Sequence, residues 1–221
     1  MYNKALPLPD RSNYQYGYQV AYRLACEKLA GIKDPEQLCR KSGSRLESTG
    51  GKSIITLRYL GKTYKVSHPD IEVSLLDSNE AVALKDKVLI LHYLNRAKGT
   101  PVTGQAVTYK ELPEGINYAS NFAKRTVKPL LNNFSHQPER LPDAAAIFDA
   151  HRADYGDVAV TINAFSRVPI TLVLWRGDDE LAPEGSILFD STIPDYLSTE
   201  DITVLCETIA WGLVSFLKEN R

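Results

Sequence analysis

His92 is the residue best placed to do chemistry. It interrupts the strongly apolar run Val88-Leu89-Ile90-Leu91-His92-Tyr93-Leu94. An imidazole carried inward by such a helix needs a hydrogen-bond partner or a metal, because an unpaired buried polar group is costly. Two readings stand. His92 is a ligand to a metal or a metallated ring, with Tyr93 beside it, or it is a core histidine bonded to a backbone carbonyl. His68 is a second candidate ligand. It precedes Pro69 and is therefore held extended in a loop, although turn histidines are common for structural reasons. His136 and His151 fall in polar stretches and read as surface residues.

Three further groups carry functional and structural readings side by side. Asp178-Asp179-Glu180 precedes a strand that ends at Asp190. If the strands at 170–176 and 186–190 pair so that Asp178, Glu180 and Asp190 approach, the carboxylates could hold a hard cation such as magnesium or act as acid and base. The plainer reading is a solvated hairpin loop. Asp157, in Tyr155-Gly156-Asp157, and Trp175-Arg176 could floor a pocket for a flat ligand. Equally, Gly-Asp is a common turn device and a strand tryptophan is usually core. Tyr14, Tyr16, Tyr18 and Tyr22 crowd one stretch of a chain with twelve tyrosines. They suit a planar ligand, a subunit interface such as that of a homodimer, or an arm packed on the surface. Lys124, Arg125 and Lys128 could hold a phosphate or carboxylate, or form a solvated helix face.

Composition narrows the classes. Lys plus Arg number 26 and Asp plus Glu 27, giving a net charge of −1. A generic nucleic-acid binder would carry a basic excess, so no nucleic-acid partner is expected. The three cysteines, Cys26, Cys39 and Cys206, form no Cys-x-x-Cys pair and are odd in number. A reducing, cytoplasmic setting is the expectation, and a thiolate-only iron–sulfur or zinc site would need a fourth cysteine. The N-terminal residues hold no apolar stretch of signal-peptide length, and no apolar window is long enough to span a bilayer, so no membrane association is expected. Nucleotide-binding glycine loops and the common hydrolase and metalloprotease signatures are absent.

These side chains must be positioned by an α+β domain. Apolar residues recur at helical spacing over Tyr18–Leu29, and Asp34-Pro35-Glu36 opens a second helix that stops near Gly43. The period then changes. Arg45–Ser48, Ser53–Leu60 and Thr63–Val66 read as a β-meander with a tight turn at Leu60-Gly61-Lys62, and Ile71–Leu75 as a short fourth strand. Helices are expected at 85–97, at 117–134 with an interruption at Pro129, at 138–150, and from Leu197 to about Leu217. Strands are expected at 106–109, 157–165, 169–176 and 186–190. Adjacent strands favour antiparallel meanders packed against helices, with helices at both ends of one domain. Residues 1–15 read as an extended arm and 16–221 as the domain.

The segments Asp86–Leu94, Gly99-Thr100-Pro101, Tyr109–Gly115, Tyr155–Val160, Pro169–Trp175, Asp178–Glu180, Ile187–Asp190 and Tyr196–Asp201, in that order, resemble the bacterial and archaeal family called domain of unknown function 3786. The resemblance runs from about Tyr16 onward. It implies an association with anaerobic one-carbon and corrinoid metabolism and offers no established catalytic residues. On that basis the expected function is to bind a planar tetrapyrrole, a corrinoid or haem, through His92, Tyr93, Trp175, Asp157 and His68. The alternatives are a metal-dependent enzyme using Asp178, Glu180 and Asp190, and a module that docks an iron–sulfur or corrinoid protein partner.

Overall fold

The computed structural model describes residues 11–49 and 52–220. The chain is α+β, with two antiparallel sheets and helices at both ends. Helix α1 (Arg11–Ala30) leads into α2 (Pro35–Ser42). Asp34 caps α2 by accepting from Gln37 N at 2.8 Å, and Gly43 ends it in the left-handed region. No proline or glycine interrupts Arg11–Tyr16, so the arm expected over residues 1–15 is helical from Arg11. Its first ten residues lie outside the described ones.

The first sheet runs β1 (Arg45–Thr49), β2 (Lys52–Tyr59), β3 (Lys62–His68), β4 (Val73–Leu75), in that order. Leu60 and Gly61 both have positive φ, 46° and 77°, which makes a two-residue turn of the kind that matches strand twist. Leucine tolerates this because its side chain is buried and its N–H donates to Ala164 O at 3.0 Å. That bond also joins the first sheet to the second.

Helix α3 (Leu84–Arg96) follows, and then β5 (Ala106–Thr108), α4 (Gly115–Arg125) and α5 (Val127–Phe134). The break between α4 and α5 falls at Thr126, three residues before the expected Pro129. Proline lacks an N–H and crowds the carbonyl four residues back, so the helix must part near Arg125. Thr126 eases the break by returning its hydroxyl to Phe122 O at 2.8 Å. The helix expected at 138–150 is instead a 3₁₀ turn, a short helix α6 (Leu141–Ala145) and a second turn. Pro138 and Pro142 each remove a donor, and Asp149, at φ 56°, ends the run.

The second sheet has the order β5-β9-β8-β7-β6, where β6 is His151–Ala153, β7 Val158–Phe165, β8 Val168–Trp175 and β9 Glu184–Asp190. Val158, Val160, Ile162, Ile170, Leu172, Leu174, Ile187 and Phe189 alternate onto one buried face. Against it lies the helical layer of α5 and the long closing helix α7 (Thr199–Glu219), whose Ile202, Leu205, Cys206, Ile209, Leu213 and Leu217 are buried. Tyr59, Phe165, Tyr93 and Tyr196 form a continuous aromatic column between the sheets. Tyr93 stacks on Phe165 at 4.1 Å between ring centroids. Among the described residues, no helix is long and apolar enough to cross a membrane.

Candidate functional site

His92 sits on the third turn of α3, and its position follows from helix geometry. Lys85, Val88, Leu89 and His92 recur at intervals of three and four and so share one stripe. The neighbouring Tyr93, about 100° around the helix, points the other way into the core. Val88, Leu89, Ile90, Leu91, Tyr93 and Leu94 are all buried, whereas the His92 side chain keeps 34% of its exposure.

The partner of His92 comes from the start of α7. Ser198 caps this helix and accepts from Asp201 N at 3.1 Å, while Asp201 accepts in return from Ser198 N and Oγ at 3.2 and 2.6 Å. That reciprocal arrangement uses one carboxylate oxygen, Oδ2. The other, Oδ1, lies 2.7 Å from His92 Nδ1. Asp201 thus closes a helix cap and orients an imidazole at once. Burial pushes its carboxyl pKa up, but the bonds from His92 and Ser198 outweigh this and hold it below the ordinary value. A carboxylate on Nδ1 places the ring proton there and leaves Nε2 as the basic nitrogen. Nε2 has no hydrogen-bond partner among the described residues.

A cleft of about 560 Å³ opens beside this pair. Its walls are Gly17, Tyr18 and Ala21 of α1, the Lys85–His92 stripe of α3, Arg125 at the end of α4, and Ser198, Glu200, Asp201 and Val204 of α7. A second cleft of about 300 Å³ adjoins it, sharing Arg125 and Glu200 and adding Tyr109, Tyr118 and Thr203. Arg125 stands at the junction. It donates to Glu207 at 2.5 Å and to Tyr118 Oη at 3.2 Å, and the Glu207 bond raises its already high pKa. Lys85 Nζ donates to Thr208 Oγ1 at 3.1 Å. Chemically, the site offers a fixed imidazole, apolar walls, the Lys85 ammonium, and an Arg125 guanidinium that is already paired with Glu207.

The other expected site residues do not gather here. Tyr93 is 1% exposed, and its hydroxyl donates to Ser42 O at the base of the aromatic column. Trp175 lies at the end of β8 on the face shared with Thr171 and Val173, the opposite side of the sheet from α5. It is 40% exposed rather than core, and its indole covers Gly156. Asp157 accepts from Arg176 N at 2.7 Å and pins that end of the hairpin. His68 lines a separate cleft of about 630 Å³ with Lys52, Ser67, Asp70, Ile71 and Glu72, so His68 and His92 do not face each other across one ligand. Among the described residues, the cleft beside His92 takes no lining residue from the second meander.

The carboxylates are also apart. Strands β8 and β9 do pair, but antiparallel, with Trp175 opposite Glu184 and Ile170 opposite Phe189. Asp178 and Glu180 sit in the loop at one end, and Asp190 lies at the other, about 20 Å along the strand. Asp178 accepts from Glu180 N and Leu181 N at 2.9 and 2.8 Å, which lowers its pKa and shapes the loop. Asp190 is 6% exposed and accepts from Thr103 N, Gly104 N and Thr192 N, with Thr192 Oγ1 at 2.7 Å. Burial raises its pKa, and those donors bring it down below the usual value. It is a structural anchor for two loops. Among the described residues, no three His, Cys, Asp or Glu side chains are grouped to hold a metal ion by themselves.

The sequence alone does not mark Asp201, Ser198, Lys85 and Glu200 as site residues. Ser198 and Asp201 carry a visible signal, a capping box, but a cap announces a helix start and not its distant partner. Arg125 was visible only as part of a basic cluster.

Residues 34–211 match the family described as Domain of unknown function (DUF3786). No curated protein and no solved structure matches the chain.

Proposed function

We propose a function for this chain, which belongs to the DUF3786 family: it binds a planar tetrapyrrole such as a corrinoid or haem in the cleft beside His92, as an accessory protein of anaerobic one-carbon metabolism. The observation that carries this reading is the Asp201–His92 pair, with Nδ1 engaged at 2.7 Å and Nε2 free. Metal-ligating histidines typically donate their other ring nitrogen to a carboxylate in this way, which fixes the tautomer and makes the ligating nitrogen more basic. The cleft volume lies in the range of small-molecule sites. Tyr18, Val88, Leu89 and Val204 offer apolar surface, and Lys85 can meet a carboxylate at a ring's edge. The bound metal would supply the redox or group-transfer chemistry. The chain's own part would be to fix the ring and to offer His92 Nε2 to its metal. An iron–sulfur or corrinoid protein partner would deliver electrons or the ring itself.

Equilibrium titration of the purified protein with haemin and with cobalamin, followed by visible absorption, tests the reading. A saturable spectral change with either ring is expected. No change with both, and no co-migration of either ring in gel filtration, would overturn it.

A further inference from the structure

Trp175, Tyr155 and Leu181 are large, apolar and exposed, at 40%, 45% and 70%. They belong to one end of the second sheet. Tyr155 lies in the turn between β6 and β7, Trp175 ends β8, and Leu181 lies in the loop between β8 and β9. Their surroundings hold them in place. A Cβ at Gly156, the turn residue after Tyr155, would meet Trp175 Cε2 at 3.1 Å, so the indole lies against that turn. Asp157 accepts from Arg176 N at 2.7 Å and ties the same turn to the end of β8. In the following loop Asp178 N donates to Leu181 O at 2.9 Å, and Leu181 N donates to Asp178 Oδ1 at 2.8 Å. A closed loop thus presents Leu181 to the outside. An apolar anchor fixed before binding loses little freedom when it docks, and tryptophan and tyrosine are enriched at the centres of protein interfaces.

Charge selects what docks there. Asp154, Asp179, Glu180 and Glu184 are exposed in the same turn, loop and strand, and Glu184 pairs directly across from Trp175. None of the four forms an ion pair among the described residues. Arg176 is already paired with Glu139 at 3.7 Å, and Arg152 lies opposite Val160, on the other face of the sheet. A chain of net charge −1 therefore carries a local acidic excess around its exposed aromatic pair. A two-fold contact with a second copy would set these carboxylates against themselves, and an anionic lipid surface would be repelled. We infer that this end of the second sheet is a docking surface for a protein partner whose apolar centre is ringed by lysine and arginine. Trp175, Tyr155 and Leu181 are its anchors, and the carboxylates set encounter rate and register. Trp175 faces away from α5 and α7, so the inference goes beyond the cofactor reading and stands without it.

An amphipathic helical peptide of leucine and lysine tests it, with a leucine–glutamate peptide of equal length as control. Trp211→Phe leaves Trp175 as the sole tryptophan reporter. The lysine peptide should give a saturable blue shift of Trp175 emission, with an affinity that falls as salt rises, and the glutamate peptide none. Asp179→Lys combined with Glu180→Lys should weaken binding by roughly tenfold or more. Trp175→Ala, followed through the anisotropy of labelled peptide, should do the same. Both variants should keep the parent's melting temperature and its rate of His92 modification by diethyl pyrocarbonate, read by mass spectrometry. Should Trp175→Ala melt lower, the charge-reversed variant, which alters exposed side chains alone, decides. The inference fails if Trp175 does not shift, if both peptides bind equally, or if charge reversal leaves affinity at the parent value. Self-association of the parent that buries Trp175, read by sedimentation, would give the surface to a second copy and overturn it. A Trp175 shift with vesicles of anionic lipid would give it to a membrane and overturn it too.

Discussion

The site turns on one carboxylate that serves two purposes. Asp201 completes the cap of α7 and holds His92 Nδ1, so its replacement has separable effects. Asp201→Asn keeps the shape and an acceptor but loses the charge. It should cost about 1 kcal/mol in urea unfolding and weaken ring binding by roughly 10–100-fold. Asp190 differs because it serves the fold alone. Asp190→Ala strands the Thr103, Gly104 and Thr192 donors and should cost roughly 2–4 kcal/mol, with His92 reactivity unchanged. Both carboxyls have folded pKa values below their ordinary ones. The stability they confer is therefore present above about pH 4 and lost as pH falls through the lower folded values. Unfolding curves from pH 6 to pH 2 should show that loss, reduced in each variant. At this scale the sequence exposes His92, because an imidazole in an apolar run is conspicuous. It exposes Asp201 only as a cap, since a contact spanning 109 residues leaves no local mark. Adjacency to His92 does not carry Tyr93 into the cleft, since one step along a helix turns a side chain from cleft to core.

Elements place these side chains through their ends more than their middles. The start of α7 brings Asp201 to α3, and the break after α4 sets Arg125 between the two clefts. Gly115 begins α4 with no room for a Cβ against Tyr109 O. Gly115→Ala should therefore destabilise by roughly 3 kcal/mol or more, read as a lower midpoint in urea unfolding. Most elements were legible because period and punctuation agree: the Asp34-Pro35 start, the Leu60-Gly61 turn and the capped α7 are all local signals. The failures were equally local in cause. Pro129 acts on the carbonyl four residues earlier, so the break precedes it. The strand β6, His151-Arg152-Ala153, is polar and mostly exposed, so it carries no apolar alternation to be seen. Alternation predicts the β8–β9 pairing but not the register, which sends Asp178 and Asp190 to opposite ends.

Across the whole molecule, the aromatic column ties the first sheet, α3 and the second sheet into one core. Phe165 sits between Tyr59 and Tyr93 and is 1% exposed. Phe165→Ala should cost about 3–5 kcal/mol, and circular dichroism should show a single shifted transition, with no separate melting of the two sheets. Burial pushes the Tyr22 and Tyr64 hydroxyls up to about 12. Their contribution is therefore intact below about pH 10 and fades as pH rises toward those folded values. The α+β class was readable from the order of elements, whereas the cleft was not, because it is made where α1, α3, α4 and α7 meet. The central claim is that His92 Nε2, set by Asp201, would hold a bound ring through its metal. Visible spectra of haemin and cobalamin bound to the parent and to His92→Ala test it most directly. The account predicts an imidazole-ligated spectrum in the parent that His92→Ala loses and added imidazole restores. Identical spectra and affinities for parent and His92→Ala would contradict it.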